Sequence, residues 1–398
     1  MRVLFAEYLV WDTPFRVGSH YYAGHFLNLG WEVGWLGGEF HPFNLLNNWP
    51  ELARKFPIWR QGGWPHQGGP WEYTAFKLLP YRRWGPLNRE GLAWNGDRWA
   101  LPPVRRVLAR AGFDRADLLW LTNVHTYPWL IRQPGYRAIV YRAADNHAAF
   151  AASPSSLQAV EDTVVRRADV VFAASHAVYE RLRRMRSEGV YHLPNGVDLA
   201  RFEAAQPPPP EYARLHRPIA AYVGAIHYWF DLEMLAEVAR RRDDISFVLI
   251  GQARVSLTPL TDLPNVYFLG TRPPEKVPAY LQHADVGLIP FIRSSLTDSI
   301  NPLKMYEYLA CGLPVVSTDL AEVRAMEAPL HLVRDVTGFC TALEAALSAT
   351  DTERETYRVY AAQHTWQARY AQVHSVVDDL WGDTTNTQNQ ALCRRSVK

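Results

Sequence analysis

The sequence predicts an α/β protein of two Rossmann-like domains, each built on a parallel sheet. Short apolar runs alternate with amphipathic stretches along most of the chain, which is typical of β-α-β units whose helices cover the faces of a parallel sheet. Two comparable sets of these runs lie on either side of Gln206-Pro207-Pro208-Pro209-Pro210, a stiff connector that neither a helix nor a central strand can contain. The 398 residues are also enough for two hydrophobic cores.

The strands are predicted from the short apolar runs. In the N-terminal half these are Val3–Ala6, Leu118–Leu121, Ile139–Tyr141, Val170–Ala174 and Tyr191–Leu193. In the C-terminal half they are Ile219–Val223, Phe247–Ile250, Val266–Leu269, Val286–Ile289 and Val315–Ser317. Each is short and rich in β-branched or aromatic residues, as buried strands of a parallel sheet are.

The helices and the domain limits follow from the stretches between these runs. Val178, Leu182 and Met185 recur at helical spacing, and the same period runs from Trp366 to Leu380. We therefore expect an N-terminal domain over residues 1–205, a C-terminal domain over 212–365, and a last helix over 366–382 that packs back on the N-terminal domain. The remainder, 383–398, is polar and is expected to fray.

Composition and charge exclude several classes of protein. There are 42 basic and 40 acidic residues, so the net charge of +2 gives no reason to expect a nucleic-acid partner. Cys311, Cys340 and Cys393 are far apart, which predicts neither a disulfide framework nor a zinc site and favours a reducing compartment. The early acidic residue Glu7 and the absence of a long apolar run predict a cytoplasmic protein without a leader or a membrane span.

A Trp-rich insertion over about 44–104 interrupts the regular alternation. It holds seven of the 15 tryptophans and shows no helical or strand period. From Lys77 to Arg115 there are nine basic and three acidic residues. The segment is either an irregular insertion whose indoles pack a small core of their own, or a surface for an amphipathic acceptor or an anionic membrane.

Two common site types are absent from the sequence. No G-x-G-x-x-G follows a strand, so a nicotinamide or flavin enzyme is not expected, and no phosphate-binding G-x-x-x-x-G-K-[ST] loop is present. The pairs His20 with His25 and His41 with His66 lack a third ligand at metal spacing. We therefore expect neither a metal nor a cofactor.

The segment from Ile289 to Val316 carries the most informative pattern. It reads as a strand, a polar loop, a short helix, a tight stop and a strand. Asn301 suits the helix N-cap and Gly312 the position just after the helix. Lys304 in the first turn is placed to neutralise a diphosphate, and Glu307, one turn later on the same face, suits ribose hydroxyls. The alternative is a solvated Lys–Glu pair on a helix surface.

A second loop, after the strand Ile219–Val223, resembles a phosphate-contacting turn. Gly224 allows the backbone to approach a ligand closely, and His227 can donate a hydrogen bond to a diphosphate. The alternative is an ordinary turn with a surface histidine.

These patterns together resemble the GT-B glycosyltransferases, whose two Rossmann-like domains have sheets that face a cleft. The resemblance rests on Asn301–Val316, Leu193–Asp198 and Gly224–Leu232. Within that fold the chain is similar to bacterial surface-polysaccharide enzymes of the teichuronic-acid type and to xanthan-type (GumK-like) glucuronosyltransferases, with a more distant similarity to family 4. Val17-Gly18-Ser19-His20 is a further match, which implies that Gly18, Ser19 and His20 lie on the acceptor side.

The chain departs from the retaining enzymes of family 4 in two places. One is the loop after the strand Ile219–Val223, where those enzymes place Arg and Lys and this chain has Ile226, His227 and Tyr228. The other is an acidic pair. Those enzymes carry Glu-x7-Glu; Glu307 matches the second Glu, but Ser299 stands at the first. The GumK-like enzymes have a Lys where Lys304 stands, invert the anomeric centre and use an Asp of the N-terminal domain as base. The resemblance therefore implies an inverting reaction.

Asp145 is the candidate for that base. It follows the strand Ile139–Tyr141 and so lies at the carboxyl end of the sheet, where α/β proteins bind ligands. An inverting transfer needs one base for the acceptor hydroxyl, while the leaving diphosphate needs only charge stabilisation. The alternative is that Asp145 caps the next turn.

The sequence thus predicts a metal-independent glycosyltransferase. The donor is a nucleotide diphosphate sugar, with UDP preferred, and the acceptor is a hydroxyl of a lipid-linked or cell-surface saccharide. Two alternatives stay open: a nucleotide-sugar 2-epimerase of the same fold, and a non-catalytic nucleotide-sugar-binding protein.

Overall fold

The computed structural model describes residues 1–13, 16–44 and 49–381. It divides into two compact units, one formed by Met1–Leu193 and the segment from Tyr370 onwards, the other by Pro194–Arg369. The first division lies before the proline run, and not at about 205 as the sequence predicts, because Val197 and Phe202 bury their side chains in the core of the second unit. The tail predicted for 383–398 lies outside the described residues.

The first unit is built on an eight-stranded sheet. Its strands are β1 (Arg2–Ala6), β2 (Glu32–Phe40), β3 (Trp64–Pro65), β4 (Trp71–Phe76), β5 (Leu118–Leu121), β6 (Ala138–Ala143), β7 (Val170–Ala173) and β8 (Val190–His192). The helices described within residues 1–193 are α1 (Gly18–Asn28), α2 (Trp49–Arg60), α3 (Glu90–Trp94), α4 (Val104–Ala111), α5 (Leu157–Arg167) and α6 (His176–Met185). The order is β3-β4-β2-β1-β5-β6-β7-β8, parallel throughout except that β3 and β4 are antiparallel.

The second unit is built on a six-stranded parallel sheet. Its strands are β9 (Ile219–Val223), β10 (Ser246–Ile250), β11 (Val266–Gly270), β12 (Val286–Ile289), β13 (Val315–Thr318) and β14 (His331–Val333), in the order β11-β10-β9-β12-β13-β14. Its helices are α7 (Leu199–Glu203), α8 (Leu232–Arg241), α9 (Thr258–Thr261), α10 (Val277–Gln282), α11 (Leu303–Ala310), α12 (Ala321–Ala325), α13 (Val336–Leu347) and α14 (Asp351–Gln363). The last helix, α15 (Trp366–Asp379), begins in this unit and continues into the first.

Every strand that the sequence predicts is present, and β2 is the longest one that it misses. Its glycines Gly34 and Gly38 hide the strand pattern, yet the packing requires them. A Cβ on Gly34 would lie 2.8 Å from the ring of Phe113, and one on Gly38 would lie 2.2 Å from the carbonyl oxygen of Tyr8. The chain following β1 therefore runs directly against the carboxyl end of β2.

The sequence shows no helical or strand period in the Trp-rich insertion, but the insertion forms regular elements: α2, β3, β4 and α3. Strand β4 pairs in parallel with β2 and extends the sheet. The indole of Trp71 stacks on Phe113 with 5.5 Å between ring centroids, and Trp59 packs against Phe76 at the same distance. The insertion bears tryptophans at its surface as well, since Trp49 is 68% exposed and Trp84 79% exposed. Features of both interpretations are thus present.

Helix α15 packs within the first unit from Tyr370 onwards. The Tyr370 ring stacks on His25 with 4.4 Å between centroids, and Trp381 stacks on Trp31 at 5.4 Å. These aromatic contacts tie the C-terminal segment to the region of α1. Among the described helices, none is long and apolar enough to cross a bilayer.

Candidate functional site

The first group of candidate residues lies at the carboxyl edge of the sheet in the second unit. Gly224 directly follows β9 with a φ of +147°, and its N–H donates to the carbonyl of Ile250 at 2.9 Å. A Cβ at Gly224 would lie 3.0 Å from Cε of Lys304, and one at Gly251 would lie 1.9 Å from the Gly224 carbonyl oxygen. Glycine at position 224 therefore lets the backbone pass close to the Lys304 side chain, and glycine at position 251 leaves room for the Gly224 backbone.

Lys304 lies in the first turn of α11, with its ammonium group between two aromatic rings. Nζ is 4.9 Å from the centroid of the Tyr222 ring and 4.6 Å from that of Phe291. None of the described residues accepts a hydrogen bond from Nζ or forms a salt bridge with it. Burial lowers the pKa of Lys304 to about 8, since removal from water disfavours the charged form. The charge of Glu307, one turn away, opposes this shift. A half-buried cation with no hydrogen-bonded counter-ion among the described residues is suited to an incoming anion.

Glu307 follows on the same helix, one turn beyond Lys304. Burial raises the pKa of Glu307 to about 7, an effect that the charges of Arg201 and Lys304 partly oppose. None of the described residues donates a hydrogen bond to its carboxylate. Lys304 and Glu307 are thus two half-buried groups of opposite charge in the first two turns of α11. The alternative of a solvated Lys–Glu pair on a helix surface does not fit this burial.

Asn301 does not cap α11, so this part of the sequence prediction is wrong. The N-cap is Pro302, whose side chain can neither donate nor accept a hydrogen bond. The Asn301 side chain instead accepts from the backbone N–H of Asn195 at 3.0 Å and donates to Glu322 at 3.0 Å. It fixes the start of the helix through neighbouring loops. Gly312 does lie just past the helix, with a φ of +67°.

His227 lies in the loop after β9 and is half-buried. Its ring stacks on Trp229 with 4.3 Å between centroids, and its Nδ1 accepts from the N–H of Tyr228 at 2.9 Å. Burial lowers the pKa of His227, and Arg254 adds to the effect. A neutral ring whose Nδ1 accepts carries its proton on Nε2, which therefore remains a hydrogen-bond donor.

The second group of candidate residues surrounds a cavity in the first unit. The cavity has a volume of about 380 Å³ and opens at the carboxyl ends of β1, β5 and β6. Its polar lining includes Glu7, His125, Arg142, Asp145 and His147. The topology explains the convergence, because parallel neighbours end at the same edge of the sheet.

Asp145 lines this cavity, two residues after β6. Its carboxylate accepts no hydrogen bond from the described residues, and the short turn over residues 147–149 has no side-chain cap. The capping alternative therefore has no support in the structure. Burial raises the pKa of Asp145 to about 6, and the charge of Arg142 opposes that rise. The carboxylate is thus a stronger base than an exposed Asp and is still mainly ionised at pH 7.

Glu7 is a second carboxyl group in the cavity, which the sequence analysis did not identify as a site residue. It is 3% exposed, and Thr122 Oγ1 donates to it at 2.8 Å. Burial raises the pKa of Glu7 to about 7, while the Thr122 hydrogen bond and the Arg142 charge lower it. The signal was available: Glu7 directly follows a predicted strand, as Asp145 nearly does.

The predicted acceptor-side residues are placed differently from one another. Ser19 lines the cavity. Gly18 begins α1 and His20 follows on the same helix, and neither of them lines the cavity. The His20 ring packs against Trp35 at 4.7 Å, and its Nδ1 accepts from the N–H of Val17 at 3.3 Å. Burial lowers the pKa of His20 to about 4, so the ring is neutral.

His147 is the remaining alternative base. Burial lowers the pKa of His147 to about 4, and its Nε2 is buried with no hydrogen-bond partner among the described residues. A neutral ring of this kind can bind a hydroxyl group, but it is a weaker base than Asp145 at neutral pH.

Part of the second unit matches a known protein family. Residues 217–349 match the family described as "Glycosyl transferases group 1". A teichuronic acid biosynthesis glycosyltransferase of Bacillus subtilis, TuaH, is 27% identical over 280 residues, covering 64% of this chain and 70% of the relative. A GDP-mannose-dependent alpha-mannosyltransferase of Mycolicibacterium smegmatis is 30% identical over 239 residues, covering 58% of this chain and 60% of the relative.

Comparison with solved structures identifies the fold of the whole chain. Anabaena Alr3699/HepE in complex with UDP and glucose has a TM-score of 0.65 at 16% identity, with 95% of this chain and all (100%) of that chain covered. An E. coli trehalose-6-phosphate protein bound with UDP-2-fluoro glucose has a TM-score of 0.66 at 13% identity, with 96% and 100% covered. These neighbours have the GT-B fold, which confirms the predicted fold class.

The state of Lys304 leads to a prediction about stability. Lys304→Met removes a desolvated charge, so it should stabilise the ligand-free protein by up to about 3 kcal/mol at pH 7. Because the folded-state pKa lies below the unfolded value of 10.5, the wild type gains stability as pH rises from about 8 to 10.5, and the difference should vanish there. Urea unfolding at pH 7, 9 and 10.5 measures it, and Lys276→Met, at an exposed position, is the control. A destabilising or pH-independent effect would contradict the assignment.

Proposed function

We propose that this chain, a glycosyltransferase with the GT-B fold and a group 1 domain at residues 217–349, transfers a sugar from a nucleoside diphosphate to a saccharide hydroxyl. The observation that carries the proposal is the unpaired ammonium of Lys304 beside the glycine-lined end of β9. A diphosphate supplies the directly hydrogen-bonded anion that this cation lacks.

The donor is proposed to bind the second unit through its diphosphate and its ribose. Lys304 neutralises the diphosphate, and the start of α11, which no side chain caps, adds positive potential. Glu307 accepts hydrogen bonds from ribose hydroxyls, and Nε2 of His227 donates to a phosphate oxygen. UDP is the preferred nucleotide, in keeping with the UDP in Alr3699/HepE, while the mycobacterial relative is GDP-mannose-dependent. GDP is therefore the competitor to test.

The transfer is proposed to begin with proton removal in the first unit. Asp145 takes the proton of the acceptor hydroxyl as its oxygen attacks the anomeric carbon, and the bond to the nucleoside diphosphate breaks with inversion. Since Lys304 and the helix N-terminus stabilise the charge of the leaving group, we propose that no metal ion takes part. The burial that raises the Asp145 pKa to about 6 suits it to this role at neutral pH.

The acceptor is proposed to be a lipid-linked or cell-surface saccharide. The similarity to TuaH, which is named for teichuronic acid biosynthesis, supports a polysaccharide product. The exposed apolar side chains of the Trp-rich insertion support contact with a membrane, and we place the protein at its cytoplasmic face. Those at least 40% exposed are Trp49, Phe56, Trp64, Leu78, Trp84 and Leu101. Exposed arginines of the insertion are Arg54, Arg60, Arg83, Arg89 and Arg98, and their charge complements anionic lipid.

Donor binding gives the first functional prediction. Lys304→Ala and Glu307→Ala should each weaken UDP binding by about 1–3 kcal/mol, as the loss of a charge-assisted hydrogen bond does. Titration calorimetry with UDP and GDP measures both variants, and Lys276→Ala is the matched control. Unchanged UDP affinity in both site variants would refute the donor site.

The catalytic base gives the next prediction. Asp145→Asn keeps the size of the side chain but cannot accept the proton, so transfer should fall by roughly 10²–10⁴-fold while UDP affinity stays within a few-fold. UDP-glucose, UDP-glucuronate and GDP-mannose serve as donors, and octyl glycosides of glucose, galactose and mannose as acceptors. Asp162→Asn, at a carboxylate of α5 that accepts from Gln158, is the control.

The products of that assay separate the competing functions. Near-normal transfer by Asp145→Asn would place the base elsewhere, with His147 next. An NMR spectrum showing the donor's anomeric configuration retained would exclude inversion. Epimerisation of the donor without an acceptor would favour the epimerase, and UDP binding without any reaction the non-catalytic protein.

Membrane contact gives a further prediction. The wild type should sediment with vesicles of 30% anionic phospholipid at low salt and be released at high salt, because each basic residue near the surface contributes about 1 kcal/mol that salt screens. Replacing Trp49 and Trp84 by Ser should reduce binding several-fold. Phe268→Ser, which removes an exposed aromatic ring of the second unit, should have no effect. Absence of sedimentation at low salt would leave the tryptophans as a packing feature.

A further inference from the structure

Two of the loops that line the cavity of the first unit carry little regular structure. One follows β1 and brings Tyr8 and Leu9 to the cavity; the other follows β5 and brings Thr122 and His125. Such loops hold a ligand in one geometry only if their backbones are fixed by other groups.

The loop after β1 is fixed from the side of the inserted strand. Glu72 of β4 is fully buried, and its Oε1 accepts from the backbone N–H of Trp11 at 2.7 Å. Its Oε2 lies 2.7 Å from Nε2 of His66, also in the insertion. On the neighbouring strand β2, Trp35 Nε1 donates to the carbonyl of Leu9 at 2.9 Å. Adjacent side chains of β2 and β4 thus hold successive peptide groups of one loop.

The loop after β5 is fixed by a second buried charge of the insertion. Lys77, directly after β4, is 1% exposed; its Nζ lies 2.7 Å from Oε2 of Glu39 and donates to the carbonyl of Thr126 at 2.9 Å. The next residue, Tyr127, donates from its hydroxyl to the carbonyl of Gly37 at 2.6 Å. The Thr126–Tyr127 segment, which directly follows His125, is therefore anchored to β2 and to the end of β4.

We propose that the Trp-rich insertion positions the cavity loops, with Glu72 and Lys77 as positioning residues for acceptor binding. This rests on the proposed function, because the cavity is taken as the acceptor site. Neither side chain lines the cavity, so each acts through the loop that it holds. An insertion that served only as a membrane surface would not require two buried charges hydrogen-bonded to the backbone of these loops.

The test measures loop order and acceptor binding separately. In the ligand-free protein, Glu72→Ala should speed amide hydrogen exchange about tenfold in a peptide covering residues 8–12 and leave that of β1 unchanged. Glu72→Gln keeps an oxygen that can accept from the Trp11 N–H and should restore most of the protection. The control is Glu32→Ala, which removes a carboxylate at the opposite end of β2 that pairs with Arg2 at 2.7 Å.

Lys77 is tested with its partner removed, so that no carboxylate is left buried and unpaired. Lys77→Met with Glu39→Gln should speed exchange about tenfold in a peptide covering 123–127, while residues 8–12 keep their protection. With UDP-glucose and octyl glycosides, Glu72→Ala and the double variant should raise the acceptor KM at least fivefold and leave the UDP dissociation constant unchanged.

The two readouts separate the two levels of the proposal. Unchanged exchange in both loops would overturn the positioning role whatever the activity. Faster exchange with an unchanged acceptor KM would confine the role to structure and also overturn the proposal. A wild type that transfers no sugar would count against the proposed function, while the exchange result would still decide whether the insertion orders the loops.

Discussion

The candidate functional groups depend on one constraint, the common direction of the strands. In a parallel sheet every strand ends at the same edge, so residues far apart in sequence meet there without any local signal. Glu7, Thr122 and Asp145 come together at the cavity because they follow three neighbouring strands of the first sheet. Gly224 and Phe291 flank Lys304 in the second unit for the same reason.

Burial of charge is the second feature of these sites. Four charged groups are removed from water without a full set of partners: Lys304, Glu307, Glu7 and Asp145. Burial lowers the pKa of the lysine and raises the pKa of each carboxyl group, so every shift favours the neutral form. A protein selected for stability alone would not keep such groups. Their retention is understandable where a ligand supplies the missing charge or hydrogen bonds, and it gives the interactions more weight than the same groups would have in water.

Much of the fold follows from the sequence, because short apolar runs and their spacing report burial directly. Lys304 and Glu307 follow from helix chemistry. Asp145 follows from its place after a strand together with the resemblance to enzymes that use an Asp of the N-terminal domain as base. Strand β2 is not predicted because it contains glycines where a Cβ would collide with Phe113 or with the backbone of Tyr8. No local sequence pattern reveals these contacts. Asn301 was misassigned for a similar reason: a residue that suits a cap was already bonded to Asn195 and Glu322, far away in sequence. No local pattern distinguishes Glu72 and Lys77 from other charged residues, because the backbone groups that they bind belong to Trp11 and Thr126, far away in sequence.

The path of the chain has a consequence for how the protein is made. The second unit is one continuous segment, Pro194–Arg369, whereas the first is split and is completed only by the residues from Tyr370 onwards. During synthesis, the second unit can therefore fold as soon as its last residue has left the ribosome. The surface of the first unit around His25 and Trp31 must wait for Tyr370 and Trp381, and until then it exposes aromatic rings. Truncation of α15 after Arg369 would thus leave the first unit incomplete, although that unit is synthesised first. The second unit, which ends just before the truncation, would stay complete.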